Sequence, residues 1–333
     1  MRMTELTLRV MANTKEIQRR IKSVVSTKKI TRAMEMVAAS KMRKAIEGVL
    51  KTRTYANLSW TTVLNLSKQA KKKHISHPLL TVKEDPRKIA IILMSSNRGL
   101  CGGFNSAILS KAHKSILKHE KSLDGSKIET DFVVMGKKGH AIYNRYGHNI
   151  SAEFSKLDVI SEVKEVIPVA KMVIGDYLAG KYDKVMVAYT DYVSASTQIP
   201  RVKQLLPVDI DSQDEHLGIM GIDTRVGLDK EFVHDKEDKY LHGGESVYTF
   251  TFEPNAEEVL DEMIPRLIEV QLFQALLESN ASEHSARMSA MHKATEAAND
   301  MHSELVLFYN KARQASITNE IAEIAAGAGA ISK

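Results

Sequence analysis

Small and apolar residues recur at alternating steps of three and four along the last third of the chain. From Met291 they run Met291, Ala294, Ala298, Met301, Leu305, Phe308, Ala312 and Ala315. That is a heptad seam, the pattern that keeps one stripe of a helix against a partner, and it predicts one helix from about Asn255 to Ala328. At 1.5 Å per residue such a helix is roughly 110 Å long, more than a globular core needs. The only segment of comparable length lies at the other end of the chain. From about Thr14 to Leu66, Ile17, Ile21 and Val24 set a stripe that Ile30, Met34, Val37, Met42, Ala45 and Val49 continue. The register slips around Lys28 and Lys41. Asn13 or Thr14 is the candidate N-cap, with Glu16 in the first turn. No proline occurs before Pro78, so about 50 residues can run unbroken, roughly 80 Å. Periodicity alone leaves a helical-bundle domain and a pair of long helices equally open.

Between these segments the period changes. Ile89–Met94 is a continuous apolar run of strand type, followed by the glycine-rich SSNRGLCGGFN and a helix from Asn105 to about His119. Phe132–Met135 reads as a strand, GKKGHAIYNRYG as a short helix, Lys164–Leu178 as a helix and Val185–Tyr189 as a strand. This order predicts a mostly parallel sheet covered by helices. The charged stretch Asp209–Ser246 has no clear period and reads as an insertion or loop. VYTFTF, Val247–Phe252, alternates as a last strand before Pro254. The expected organisation is therefore a helix over 11–67, an α/β domain over 87–252 and a helix over 255–330.

Composition narrows the class. The chain has 333 residues, 43% of them hydrophobic, which suffices for one sizeable core and an extended element. Its apolar runs are too short to span a bilayer. The start lacks the apolar stretch of a secretory signal and the Arg/Ser richness of a transit peptide, and Met11 is an alternative start. A single cysteine, Cys101, rules out an internal disulfide or a CxxC site and suits a reducing compartment. The expected location is cytosolic, or peripheral on a cytosolic face.

The net charge of +6 is unevenly placed: twelve Lys/Arg against three acids lie between Asn13 and Arg53. Such a helix can steer toward nucleic acid, anionic lipid or an acidic protein surface, or can simply be a solvated face. RNA-binding aromatics, zinc spacing and a helix-turn-helix turn are missing, which argues against nucleic acid.

The search for reaction chemistry is mostly negative. SSNRGLCGGFN stands between a strand and a helix, where a phosphate loop would be, but it is not GxxxxGK[ST]. Gly99, Gly102 and Gly103 do not make GxGxxG, and a tight turn needing positive φ is the better reason for them. Cys101 has no His/Asn arrangement to activate it and reads as a small apolar turn residue. His74 and His77 lack a third ligand and read as loop residues. Ser282, Glu283, His284 and Ser285 are consecutive on a helix, so they point to different faces and cannot form a triad.

Four stretches carry a resemblance. ITRAMEMVAASKMRKA (Ile30–Ala45), SSNRGLCGGFN (Ser95–Asn105), SEHSARMSAMHKATEAAND (Ser282–Asp300) and LVLFYNKARQASITNEIAEIAAGAGA (Leu305–Ala330) resemble the gamma subunits of F-type ATP synthases. MEMVAASKMRKA is similar to the bacterial form. The resemblance covers essentially the whole chain except Asp209–Ser246. It implies a long antiparallel two-helix coiled coil formed by the terminal helices, plus a central Rossmann-like α/β domain. It further implies a rotary shaft inside a ring of alpha and beta subunits, with a foot that meets the epsilon subunit and the membrane c-ring. Such a subunit is non-catalytic, needs no cofactor, and lies on the cytoplasmic face of the plasma membrane.

Carried over by position, Met34 and Arg287 match residues near the acidic loop of beta that the shaft pushes. Arg313, Gln314, Thr318 and Glu320 match polar positions that meet ring loops higher on the shaft. The small residues of EIAAGAGA suit a bearing tip. Photosynthetic relatives carry a cysteine pair in an insertion at this place; Asp209–Ser246 has none, so a thiol switch is excluded. Outside the resemblance, two other classes fit the residues less well: a basic coiled-coil scaffold docking another complex, and an α/β enzyme binding a nucleotide at SSNRGLCGGFN.

Overall fold

The computed structural model describes residues 2–72, 77–83, 85–118, 128–157, 162–208, 253 and 255–331. The expected strand Val247–Phe252, the stretch Asp209–Ser246 and His74 lie outside them. The chain divides into two compact units, Met1–Val37 with Met288–Lys333, and Ala38–Arg287. Two long helices run through both: α1, Arg2–Lys72, and the last helix, α5, Ala256–Ile331.

Helix α1 is longer than its sequence pattern suggests. It begins at Arg2, so Asn13 and Thr14 lie inside it rather than capping it. Helix α5 does start where expected: the Asn255 Oδ1 accepts from the Glu258 N–H at 2.9 Å, the usual way a short polar side chain satisfies a free first-turn donor.

The buried stripes differ from the expected ones by one residue at alternate positions. On α5 the positions turned from solvent are Met291, Thr295, Ala298, His302, Leu305, Tyr309, Ala312 and Ser316. Met301 and Phe308 instead remain 52% exposed. On α1 the stripe passes through Ile17, Ile21, Val24, Thr31, Glu35, Ala38, Met42, Ala45 and Val49. These fall on one unbroken three-four alternation through Lys28, so the apparent slips there and at Lys41 are absent. Ile30 and Val37 lie beside the stripe, exposed at 58% and 55%. The cause is that the true stripe uses Thr31, Thr295, His302 and Ser316, polar residues that a hydrophobicity pattern skips in favour of an apolar neighbour.

In the first unit the two stripes touch. The hydroxyls of Thr31 and Thr295 lie 2.8 Å apart, and His292 Nδ1 is 3.2 Å from Glu35 Oε1. As the α1 position rises, its α5 partner falls. The second unit repeats the order: Thr52 Oγ1 donates to Gln274 Oε1 at 2.6 Å, and a Cβ on Gly48 would stand 3.2 Å from Leu277 Cδ2.

The second unit is built on a five-stranded sheet. In chain order it contains β1 (Lys88–Met94), α2 (Phe104–Lys118), β2 (Glu129–Met135), α3 (Ala141–Tyr146), β3 (Asn149–Phe154), α4 (Val163–Leu178), β4 (Lys184–Tyr192) and β5 (Gln198–Leu206). The strand order is β3-β2-β1-β4-β5; the first four are parallel and β5 is antiparallel to β4. Two strands, β3 and β5, have no counterpart in the sequence reading. NISAEF is short and half polar, and QIPRVKQLL carries Pro200, which a strand accepts where its N–H needs no partner.

Both sheet faces are covered, which is why β1 is apolar without alternation. Ile89, Ile91 and Leu93 meet Ile108, Leu109 and Ala112 of α2 and Ile142 of α3. Ala90, Ile92 and Met94 meet Val166, Val169 and Val173 of α4 and the stretch of α5 from Leu260 to Leu277. The final helix is therefore part of the domain core over its first five turns.

Gly136 ties two loops together at the carboxyl edge of the sheet. Its φ is +98°, and a Cβ there would collide with the backbone carbonyl of Ser95. Gly99, by contrast, has open space around it. Replacing Gly136 with Ala is expected to cost more than about 2 kcal/mol, lowering the melting temperature by about 5 °C or more. Gly99→Ala should leave it nearly unchanged. Circular dichroism melts of the two variants check this; equal melting temperatures would contradict the backbone geometry.

Candidate functional site: an exposed helix surface and a buried polar cluster

In the first unit the α5 residues singled out by the sequence form a group. Arg313, Gln314 and Thr318 are exposed, and the Thr318 hydroxyl bonds back to the Gln314 carbonyl at 2.9 Å. Helical spacing puts Arg313 in line with Ile317, Ile321 and Ile324, which are 45%, 61% and 73% exposed. Glu320 stands apart from this surface: it is half-buried, and its Oε1 accepts from the Ser316 hydroxyl at 3.3 Å. On α1, Met34 is half-buried and flanked one turn away by the exposed Ile30 and Val37. Large apolar side chains left in water in rows, with polar groups among them, mark a surface that a partner covers. Ile317, Ile321 and Ile324 are candidate contact residues that the sequence reading missed, and Ile30 and Val37 are ones it places on the buried stripe.

Arg287 belongs elsewhere. It is the last residue of the second unit, and its side chain is only 11% exposed. One terminal nitrogen donates to Glu283 Oε1 at 2.9 Å and to the carbonyls of Arg98 and Gly99 at 3.2 and 3.4 Å. The structure thus groups Arg313, Gln314 and Thr318, and leaves Arg287 in a different environment.

That environment is a buried polar cluster. Every residue of α5 from 271 to 285 is buried, so this part of the helix has no solvated face on which to put its polar side chains. Ser282, Glu283 and Ser285 bond to the sheet's carboxyl edge instead, and Gln274 bonds to Thr52 of α1. The Ser282 hydroxyl donates to the Thr190 carbonyl at the end of β4, and the Ser285 hydroxyl donates to the Ala195 carbonyl in the β4–β5 turn. Lys156, just after β3, meets Glu283 at 2.7 Å with side chains 2% and 4% exposed. Asn97, in the loop after β1, donates to the Lys156 carbonyl at 2.5 Å. Ser282 and Ser285, one helical turn apart, bond to two different backbone acceptors. Removing one partner of a buried pair such as Lys156–Glu283 costs about 3–5 kcal/mol, because a charge is left unpaired.

The SSNRGLCGGFN loop lies where a doubly wound sheet receives its ligand, outside the carboxyl ends of the strands at the switch in strand order between β1 and β4. Here Arg287 of the chain's own helix holds two of its carbonyls. Of the three glycines only Gly102 has a positive φ, +55°, and it is Leu100 that takes a second one, +62°. The turn explanation therefore holds for Gly102 and fails for Gly99 and Gly103. Cys101 is buried, its sulfur accepting from Asn105 Nδ2 at 3.2 Å. His77 is a loop residue but not an idle one. It is 3% exposed, its Nε2 lies 2.9 Å from Asp261 of α5, and its Nδ1 accepts from the Leu79 N–H. Among the described residues no group of three or more His, Cys, Asp or Glu could hold a metal ion.

The cluster sets two protonation states. Burial pushes Glu283 upward, but the charges of Lys156 and Arg287 and the Lys156 hydrogen bond outweigh it, leaving its pKa below the usual value. His284 is pushed down to about 4, chiefly by burial and then by Arg287, Lys156 and Lys41, against the opposing pull of Glu283. Its Nδ1 lies 3.3 Å from an Arg287 nitrogen; a guanidinium can only donate, so this ring nitrogen accepts and the ring is neutral.

Both shifts make the fold acid-sensitive. The unfolded His284 takes a proton near pH 6.5 and the folded one only near pH 4. Its stabilisation is complete above pH 6.5 and is lost as the pH falls through that window, by about 3 kcal/mol. Glu283, also depressed, adds a loss at lower pH. His284→Gln, which cannot charge, is expected to flatten the dependence of melting temperature on pH between 6.5 and 4. An unaltered slope would show that His284 is not the titrating group.

Residues 13–331 match the family model described as ATP synthase. The ATP synthase gamma chain of Roseiflexus castenholzii is 38% identical over 323 residues, 97% of this chain and 100% of the relative. That of Legionella pneumophila (strain Corby) is 37% identical over 321 residues, 96% of this chain and 100% of the relative. In solved structures, a chain of the Euglena gracilis mitochondrial ATP synthase (OSCP/F1/c-ring, rotational state 3) shares the fold with a TM-score of 0.60 at 14% identity, over 96% of this chain and 95% of that one. A chain of the Tetrahymena thermophila mitochondrial ATP synthase central stalk and c-ring matches with a TM-score of 0.55 at 22% identity, over 80% of this chain and 99% of that one. With gamma chains matched end to end at this identity, the chain belongs to the ATP synthase gamma chain family.

Proposed function

We propose that this chain is the central shaft of an F-type ATP synthase, turning inside a ring of alpha and beta subunits and performing no bond chemistry itself. The observation that carries the proposal is the antiparallel meeting of α1 and α5 in the first unit, with exposed apolar rows left over on both helices. We read that meeting as a two-helix coiled coil. A pair of helices resists twisting better than one, and torque must pass along it.

The shaft acts by contacting each conformation of a beta subunit differently, since a ligand shifts an equilibrium only by its differential affinity for the states. Met34, Arg313, Gln314 and Thr318 would supply polar and soft contacts amid the exposed isoleucines. Glu320 would act through the seam, and Arg287 would contribute least, being mostly engaged within the chain. The basic face of α1, with Arg20 and Arg32 exposed beside their own acids, suits an acidic ring lining. The domain over 87–252 would be the foot, meeting the epsilon subunit and the c-ring, while 11–67 and 255–330 form the shaft. No helix among the described residues is long and apolar enough to cross a membrane, which fits a peripheral subunit on the cytoplasmic face of a bacterial plasma membrane. The switch-point loop held by Arg287 argues against the nucleotide-enzyme alternative.

Co-expression with alpha and beta subunits tests the assignment, with isolation of a single complex as the expected result. In that complex, Arg313→Ala with Gln314→Ala should lower coupled ATP synthesis in membrane vesicles several-fold. The substitutions are exposed and should change stability by under about 0.5 kcal/mol. Synthesis at the unsubstituted rate would remove these residues from the contact surface. The isolated chain should show no micromolar ATP binding by calorimetry, and binding would revive the nucleotide-enzyme reading.

A further inference from the structure

The groups around Glu283 close a ring. Asn97 donates to the Lys156 carbonyl, and the Lys156 ammonium donates to one oxygen of Glu283. Arg287 donates to the other oxygen and, through the same nitrogen, to the carbonyls of Arg98 and Gly99. Residues 97–99 complete the circuit. Three separate elements are joined: the loop after β1, the chain after β3, and one turn of α5. The ring is placed at the last turn of α5 that belongs to the second unit.

Below this turn α5 is held mainly by apolar packing, through Leu260, Ile264, Ile268 and Leu272, with single hydrogen bonds from His77 to Asp261 and from Thr52 to Gln274. Apolar packing is non-directional and permits a helix to roll by small rotamer changes. A closed set of charge-assisted hydrogen bonds does not, because both oxygens of Glu283 are fixed from opposite partners. Ser282 and Ser285 add bonds to the β4 end and its turn on other faces of the same helix. Glu283 is kept ionised by these neighbours despite its burial.

We propose that Lys156, Glu283 and Arg287 form a torsional clamp that locks the rotation of α5 to the sheet domain, with Lys156 as its positioning residue. The proposal rests on the shaft reading above. A crevice that receives ligands in other doubly wound folds is used here to grip a helix, so torque enters the helix at this turn instead of spreading along the apolar contacts below it.

The experiment uses the assembled complex, with the alpha and beta ring fixed to a surface and a bead attached to the sheet domain. Angular fluctuations of the bead report the torsional stiffness of the rotor. Rotation of the unsubstituted complex on ATP tests the shaft reading by itself; a complex that assembles but does not rotate overturns that reading rather than the clamp. In a rotating complex, Lys156→Met should lower the stiffness by at least about twofold, since it leaves a buried carboxylate without its main partner. Lys156→Arg, which keeps charge and donors, should restore it. Loss of thermal stability with stiffness unchanged would mean an ordinary structural ion pair and would overturn the clamp. If Lys156→Met does not assemble, Asn97→Ala removes one strut and leaves the ion pair. A softer rotor is again the expected result, and unaltered stiffness in that variant sinks the proposal.

Discussion

Neither terminal helix can bury its apolar stripe by itself, and this need for a partner governs the architecture. A helix of more than 70 residues exposes one face along its whole length unless another helix covers it. The stripe on α5 is lined with small or polar residues as often as large ones: Ala298, Ala312 and Ser316 beside Met291 and Leu305. Small seam residues let two backbones approach closely. Thr31 and Thr295 then face each other at 2.8 Å, while each hydroxyl also reaches a carbonyl of its own helix, those of Lys28 and Met291.

Where α5 enters the sheet domain the same helix changes character. Its first turns are amphipathic, with Leu260, Ile264 and Ile268 joining the core beneath β1 and β4, whereas residues 271–285 are buried on every side and largely polar. A helix without a solvated face must satisfy each polar side chain internally. The carboxyl edge of the sheet supplies the acceptors and the Lys156 ammonium, so the edge that other α/β proteins offer to a substrate is taken up here by the chain itself. This single fact links the fold to the absence of a phosphate-loop sequence in SSNRGLCGGFN and to the acid sensitivity centred on His284.

The outer surface of the first unit follows a different rule. Ile321 and Ile324 stay largely in water, and Ile317 is about half exposed. Their presence beside Arg313, Gln314 and Thr318 supports the proposed contact surface. A bearing must hold several orientations about equally well, and scattered apolar side chains provide contact without fixing one of them.

Much of this was legible in the chain before folding. The three-four spacing gave both long helices, and the run Ile89–Met94 gave the central strand. The resemblance carried by Ile30–Ala45 and Leu305–Ala330 named the candidate contacts. Local periodicity could see these things because they depend on neighbours three or four residues apart. It could not choose between Ala294 and Thr295, or between Met301 and His302, as the buried member, since both lie near the same face and only the partner helix decides. Nor could it find β3 and β5, whose pairing is set by other strands. The ring of Asn97, Lys156, Glu283 and Arg287 was beyond it altogether. Those residues span 190 positions of sequence, from Asn97 to Arg287, and a lysine and a glutamate 127 apart read as ordinary surface charges. Only folding, by burying both and removing water, turned them into a bond on which the helix depends.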